Sequence, residues 1–155
     1  MGQFTPFSGH MDDCRNREHL ADLREYIYSY GIEDNVRLLG LIDYADVFAL
    51  MHNSIAVINP SLFEGWSSTV EEAKSMGKGM ILSDIAVHRE QDPTVSSYFS
   101  VNDPVGLAKF LKDYWLNKEG GPDSSLENEA KDALPRRTAG FGQVYQDMIV
   151  EMFEA

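Results

Sequence analysis

At 155 residues, 43% of them hydrophobic and 25% charged, the chain is long enough to fold as one globular domain with a sizeable core, not as a disordered segment. Its net charge of −12 argues against nucleic acid and against an isolated anionic membrane surface, since both call for clustered Lys and Arg. The single cysteine, Cys14, cannot make an intrachain disulfide, no apolar run approaches the roughly 20 residues of a bilayer span, and no apolar signal region opens the chain, so a cytoplasmic protein is expected.

In chain order, short apolar runs alternate with amphipathic helical patterns. The first ten residues read as the tail of a strand ending at Ser8 and Gly9. Helical periodicity follows through Leu20, Leu23, Ile27 and Tyr30, and Gly31 closes that helix as a C-terminal cap. Next come a strand at 36 to 39, a helix carrying Val47, Phe48 and Met51, a strand at 55 to 58, a helix with Val70, Ala73 and Met76, and a strand at 80 to 83. A turn-rich stretch at 84 to 93 precedes a strand around Tyr98 to Val101 and a helix with Leu107, Ala108, Leu111, Tyr114 and Trp115 on one face. Residues 119 to 125, EGGPDSS, have the composition of an exposed connection to one or two terminal helices, the last with the stripe Phe141, Val144, Tyr145, Met148 and Met152. Repeated strand, helix, strand predicts an α/β fold, a Rossmann-like parallel sheet with helices on both faces. The expected organisation is a partial domain over 1–118, with 119–155 as linker and helices packing on it.

The most informative segment is PSLFEGWSSTVEEAKSMG, residues 60 to 77. It sets Glu64 in a loop and Glu72 inside the following helix, eight positions apart across a strand, loop, helix junction. Ser67, Ser68 or Thr69 serves as N-cap. A helix N-terminus offers unpaired N–H groups and partial positive charge to an anion. Carboxylates on either side of it suit a ligand with hydroxyls on both sides of a phosphate, which is the make-up of a sugar nucleotide.

Other polar residues read more plainly. Glu71, about 100° around the helix from Glu72, is expected to be a solvated charge. His88, Arg89 and Glu90 read as a structural cluster, an ion pair or loop brace. His10, His19 and His52, with Cys14, lack zinc-ligand spacing, so no metal site is expected. Tyr26, Tyr28 and Tyr30 cannot share one helical face and divide between core and surface.

From about Ser8 to Trp115 the chain resembles the C-terminal, donor-binding half of the family-four retaining glycosyltransferases of GT-B architecture. The resemblance is carried by NVRLLGLID at 35 to 43, PSLFEG at 60 to 65, VEEAKSMGKGMILSDIAVHRE at 70 to 90 and YFSVNDPVGLAKFL at 98 to 111, in order and at matching spacing. It implies that Glu64 contacts the donor sugar at the catalytic centre, and that Glu72 holds the ribose hydroxyls. It also implies that Gly65, Trp66, Ser67 and Ser68 turn backbone N–H groups toward the donor, with Leu41 and Ile42 flanking the nucleobase. Gly-Trp-Ser-Ser stands where the family often has Gly-Phe-Gly-Leu, which restricts the backbone. The implied partners are a nucleotide-sugar donor, as substrate and not cofactor, and a glycan or lipid acceptor held by an N-terminal domain. No metal is implied, and the parent enzyme could lie at the inner face of a membrane.

In the family an arginine and a lysine bind the diphosphate from a strand, loop and helix preceding the matched part. The chain is therefore expected to be a fragment, an incomplete C-terminal half of a GT-B fold. It should be inactive alone, weak or silent toward UDP-, GDP- and ADP-sugars, and prone to self-association through an exposed sheet edge. The alternative is a non-catalytic α/β module for nucleotide binding or protein contact.

Overall fold

The structure is a computed structural model that describes residues 5–9 and 17–154. Cys14 and His10 lie outside the described residues. The chain divides into two compact units, 1–49 and 50–155.

In the first unit β1 (Thr5–Ser8) pairs in parallel with β2 (Val36–Gly40), from Thr5 against Val36 to Ser8 against Gly40, with a register shift between Phe7 and Ser8. Between them runs α1 (Arg17–Ser29), which buries Ile27 and leaves Tyr26, Tyr28 and Tyr30 all exposed. None of the three tyrosines enters the core, because the buried stripe of this helix follows Leu20, Leu23 and Ile27. Gly31 ends the helix at φ +61°, with its N–H donating to the Tyr28 carbonyl and that of Ile32 to the Ile27 carbonyl. A side chain with a Cβ is disfavoured in that left-handed conformation, which explains the glycine. The helix α2 (Tyr44–Asn53) follows β2 and runs across the unit boundary.

The second unit holds a three-stranded parallel sheet in the order β3 (Val57–Asn59), β4 (Met80–Ser83), β5 (Ser96–Phe99). Every residue of the central strand β4 is buried. Its alternation decides the two faces: Met80 and Leu82 pack with Val70 and Ala73 of α3 (Ser68–Ser75), whereas Ile81 packs with Phe99 and with Tyr114 of α5 (Pro104–Asn117). Helices thus cover both faces of this sheet, as the alternation of elements predicts. Among the described residues the parallel ladders form sheets of two and three strands.

The turn-rich stretch at 84 to 93 contains a helix, α4 (Ala86–Gln91), that its sequence does not predict. Six residues are too few to show helical periodicity in a sequence, and its N-cap, Ile85, offers no capping side chain. The chain ends in a single helix, α6 (Ser124–Glu154), whose first turn is capped by Asp123 Oδ1 accepting from the Ser125 and Leu126 N–H groups at 3.0 and 3.1 Å. It passes through Pro135 without ending. Only its first half packs on the unit. The stripe Phe141, Val144, Tyr145, Met148 and Met152 is exposed, because a 31-residue helix is about 46 Å long and outruns a sheet of three short strands.

Candidate active site

β3 is an apolar strand that ends in a polar residue, Asn59, and this residue organises the loop that follows. Its side chain is buried with three bonds: Nδ2 donates to Ser67 Oγ at 3.0 Å and to Glu64 Oε1 at 3.4 Å, and Oδ1 accepts from the Ser61 N–H at 3.2 Å. Ser61 Oγ donates to the same Glu64 oxygen at 2.7 Å. Glu64 is therefore half-buried and oriented through Oε1, while Oε2 accepts no bond from the described residues. A carboxylate held by one oxygen and open at the other is built to accept ligand hydroxyls.

The loop closes on Ser67, which is 3% exposed and is the N-cap of α3, its Oγ accepting from the Val70 N–H at 3.4 Å. Of the three candidate caps the structure selects this one. Its own N–H donates to Gln91 Oε1 at 3.4 Å. The Ser67 N–H is thus directed at a buried carboxamide. The N–H groups of Gly65, Trp66, Ser68 and Thr69 have no acceptor among the described residues and keep the anion-binding character of a helix N-terminus. Trp66 is 55% exposed beside them, as are Leu62 and Phe63 at 75% and 86%, so the loop presents apolar surface around the Glu64 carboxylate.

Glu72 lies in the second turn of α3 and is half-buried. Its neighbour Glu71 is not the solvated charge that its position suggests: Oε1 accepts from Gln91 Nε2 at 3.1 Å, and Oε2 stands 3.7 Å from Arg137 of α6. Leu41 and Ile42 belong to the first unit, in the turn after β2, where Leu41 is exposed and Ile42 half-buried.

Beneath the loop, Ser83 at the end of β4 donates from Oγ to the Ser61 carbonyl at 2.5 Å. The buried His88 holds the Ser83 carbonyl at 2.9 Å from Nδ1, a contact that requires the proton on Nδ1, and Nε2 is left buried without a partner among the described residues. Arg89 makes a two-pronged bond to Asp84 at 2.7 and 2.9 Å and lies over the Tyr98 ring, which keeps the Asp84 carboxyl below its ordinary range. The structural reading of this cluster agrees with these contacts. Asn59, Ser61, Ser83 and Gln91 are site residues that sequence reasoning passed over. The available signal was polar side chains at positions where the strand and helix patterns are otherwise apolar.

Among the described residues no three His, Cys, Asp or Glu side chains come together in a metal-ligating group, and no helix is long and apolar enough to cross a membrane. A cavity of about 170 Å³ lies away from the Glu64 loop, between α3, α6 and the start of β4, lined in part by Lys74, Met80, Glu129 and Arg136.

Parallel strands flanked by helices, with a polar loop beyond the carboxyl ends of the strands, define a Rossmann-like α/β fold. Residues 8–92 match the family model described as glycosyl transferases group 1, which covers more than half of the chain, and the chain belongs to that family. No curated protein matches it significantly.

Proposed function

We propose that this chain carries the donor site of a retaining glycosyltransferase of family four with GT-B architecture, one that moves a sugar from a nucleotide sugar to a glycan or lipid acceptor. The observation that carries this reading is the Glu64 carboxylate, fixed through Oε1 by Ser61 and Asn59 and open at Oε2, next to the N-terminus of α3. On this reading Glu64 accepts hydroxyls of the donor sugar and Glu72 those of the ribose. The open N–H groups of Gly65, Trp66, Ser68 and Thr69 then face the diphosphate between them. As the anomeric bond to the phosphate breaks, negative charge builds on the departing nucleoside diphosphate, and preorganised N–H donors stabilise it more in the transition state than in the ground state. The nucleotide sugar is a substrate, and the reading calls for no resident metal.

Saturation-transfer NMR, a method suited to weak ligands, tests this with UDP-, GDP- and ADP-sugars beside the matching nucleoside diphosphates. Glu64→Gln is expected to weaken the preferred nucleotide sugar about tenfold, the size of one charge-assisted hydrogen bond, and to leave the nucleoside diphosphate nearly unchanged. Glu72→Gln should weaken both. Equal binding of the nucleotide sugar by the parent chain and Glu64→Gln would overturn the assignment.

A further inference from the structure

Two side chains of α4 are almost completely buried and both are polar: His88 at 0% exposure and Gln91 at 1%. They stand three positions apart, on one face of the helix. Neither can be reached by a ligand, yet between them they hold both ends of the Glu64 loop. At the near end, His88 Nδ1–H donates to the Ser83 carbonyl, Ser83 Oγ donates to the Ser61 carbonyl, and Ser61 Oγ donates to Glu64 Oε1. At the far end, the Gln91 carboxamide pairs with residue 67 in both directions, accepting from the Ser67 N–H at 3.4 Å and donating from Nε2 to the Ser67 carbonyl at 2.8 Å. The remaining Nε2 hydrogen goes to Glu71 Oε1 at 3.1 Å, so both amide hydrogens are used.

Such an arrangement is more than is needed to bury a glutamine. A core position filled by an aliphatic side chain would carry no desolvation cost, whereas a buried carboxamide is retained only where its partners are fixed. Here those partners are the last residue of the loop and the first turn of α3. We infer that α4 is a positioning device for the Glu64 loop, with Gln91 and His88 as positioning residues that set where the Glu64 carboxylate and the open N–H groups of α3 meet a ligand. The inference rests on the donor-site reading for its ligand and on the hydrogen-bond network alone for its mechanics.

The test combines amide hydrogen exchange with the ligand comparison, using UDP-glucose, GDP-mannose and ADP-glucose against UDP, GDP and ADP. In Gln91→Met, which keeps the volume and removes the bonds, the Ser67 amide is expected to exchange about tenfold faster while β4 amides hold their protection, as loss of one net hydrogen bond implies. Both the nucleotide sugar and the nucleoside diphosphate should weaken, because the open N–H groups on either side of Ser67 face the diphosphate that the two ligand classes share, whereas general destabilisation would strip β4 of its protection as well. A second variant guards against a fold lost outright. Gln91→Glu keeps an acceptor for the Ser67 N–H but sets carboxylate oxygens against both the Ser67 carbonyl and Glu71, and adding Glu71→Gln relieves only the second contact, so the pair should regain part of the protection that the single change loses. Unchanged exchange at Ser67 in Gln91→Met overturns the inference, as does faster exchange that β4 shares, or undiminished binding of both ligand classes. Faster exchange in a protein whose parent chain binds the nucleotide sugars away from residues 64 to 72 supports the positioning role and overturns the donor-site reading instead.

Discussion

Lys78 brings an ammonium group into the interior, where Nζ donates to the Ser54 carbonyl at 2.8 Å and the Gly121 carbonyl at 2.6 Å and so ties the end of α2 to the connection before α6. Burial pushes its pKa below the ordinary 10.5, while the Glu127 and Asp123 carboxylates pull the other way. The folded chain thus gives up this proton before the unfolded chain does. Between the lowered value and 10.5 the unfolded state holds more protons, so the contribution of this group to stability rises with pH across that window. Lys78→Met should cost about 1–3 kcal/mol near neutral pH for the two carbonyls left unpaired. Urea unfolding is expected to show the parent's advantage over the variant widening from about pH 7 toward about pH 10; an advantage that shrinks would mean that the ammonium is favoured by folding. Single residues were also where the sequence was hardest to read. Glu71 looked solvated because helix geometry alone separates it from Glu72, and its partners Gln91 and Arg137 are 20 and 66 positions away, beyond any local pattern.

Among the elements, α3 shows most clearly how local chemistry places the site. Ser67 starts it, and Gly77 ends it at φ +66°, with the Gly77 N–H donating to the Lys74 carbonyl and that of Lys78 to the Ala73 carbonyl. A Cβ at Gly77 would stand 2.4 Å from the Leu126 backbone in the first turn of α6. Gly77→Ala combines a disfavoured left-handed backbone with a collision against main chain, and a loss of about 2 kcal/mol or more is expected from equilibrium unfolding. A change below about 0.5 kcal/mol would show that α6 yields easily at that contact. The cap was legible to within three candidates, Ser67, Ser68 and Thr69, because capping residues are written at the helix start itself. α4 was not: its fold depends on burying Val87, His88 and Gln91 against elements distant in sequence, and a six-residue segment carries too little pattern to announce that. β3 was read two residues early at its start, since Ile55 and Ala56 are as apolar as the strand proper but sit outside the ladder, packed against the α5 face.

At the scale of the molecule, the alternation of strands and helices gave the parallel α/β architecture, because a parallel connection needs a crossover helix whatever the residues in it. What it could not give was the division of the ladders into two sheets or the exposure of the second half of α6. An amphipathic stripe such as Phe141, Tyr145 and Met152 states only that a face is apolar, not that the chain has something to lay against it. The central claim is that the loop from Asn59 through Ser67 and the first turns of α3 form a nucleotide-sugar site. The most direct measurement is an amide-resolved NMR titration of the ¹⁵N-labelled chain with the UDP-, GDP- and ADP-sugars. Shifts for one of them are expected to concentrate at Gly65, Trp66, Ser68 and Thr69 and to spread to Glu72. Shifts confined to the cavity around Lys74, Glu129 and Arg136 would contradict that claim.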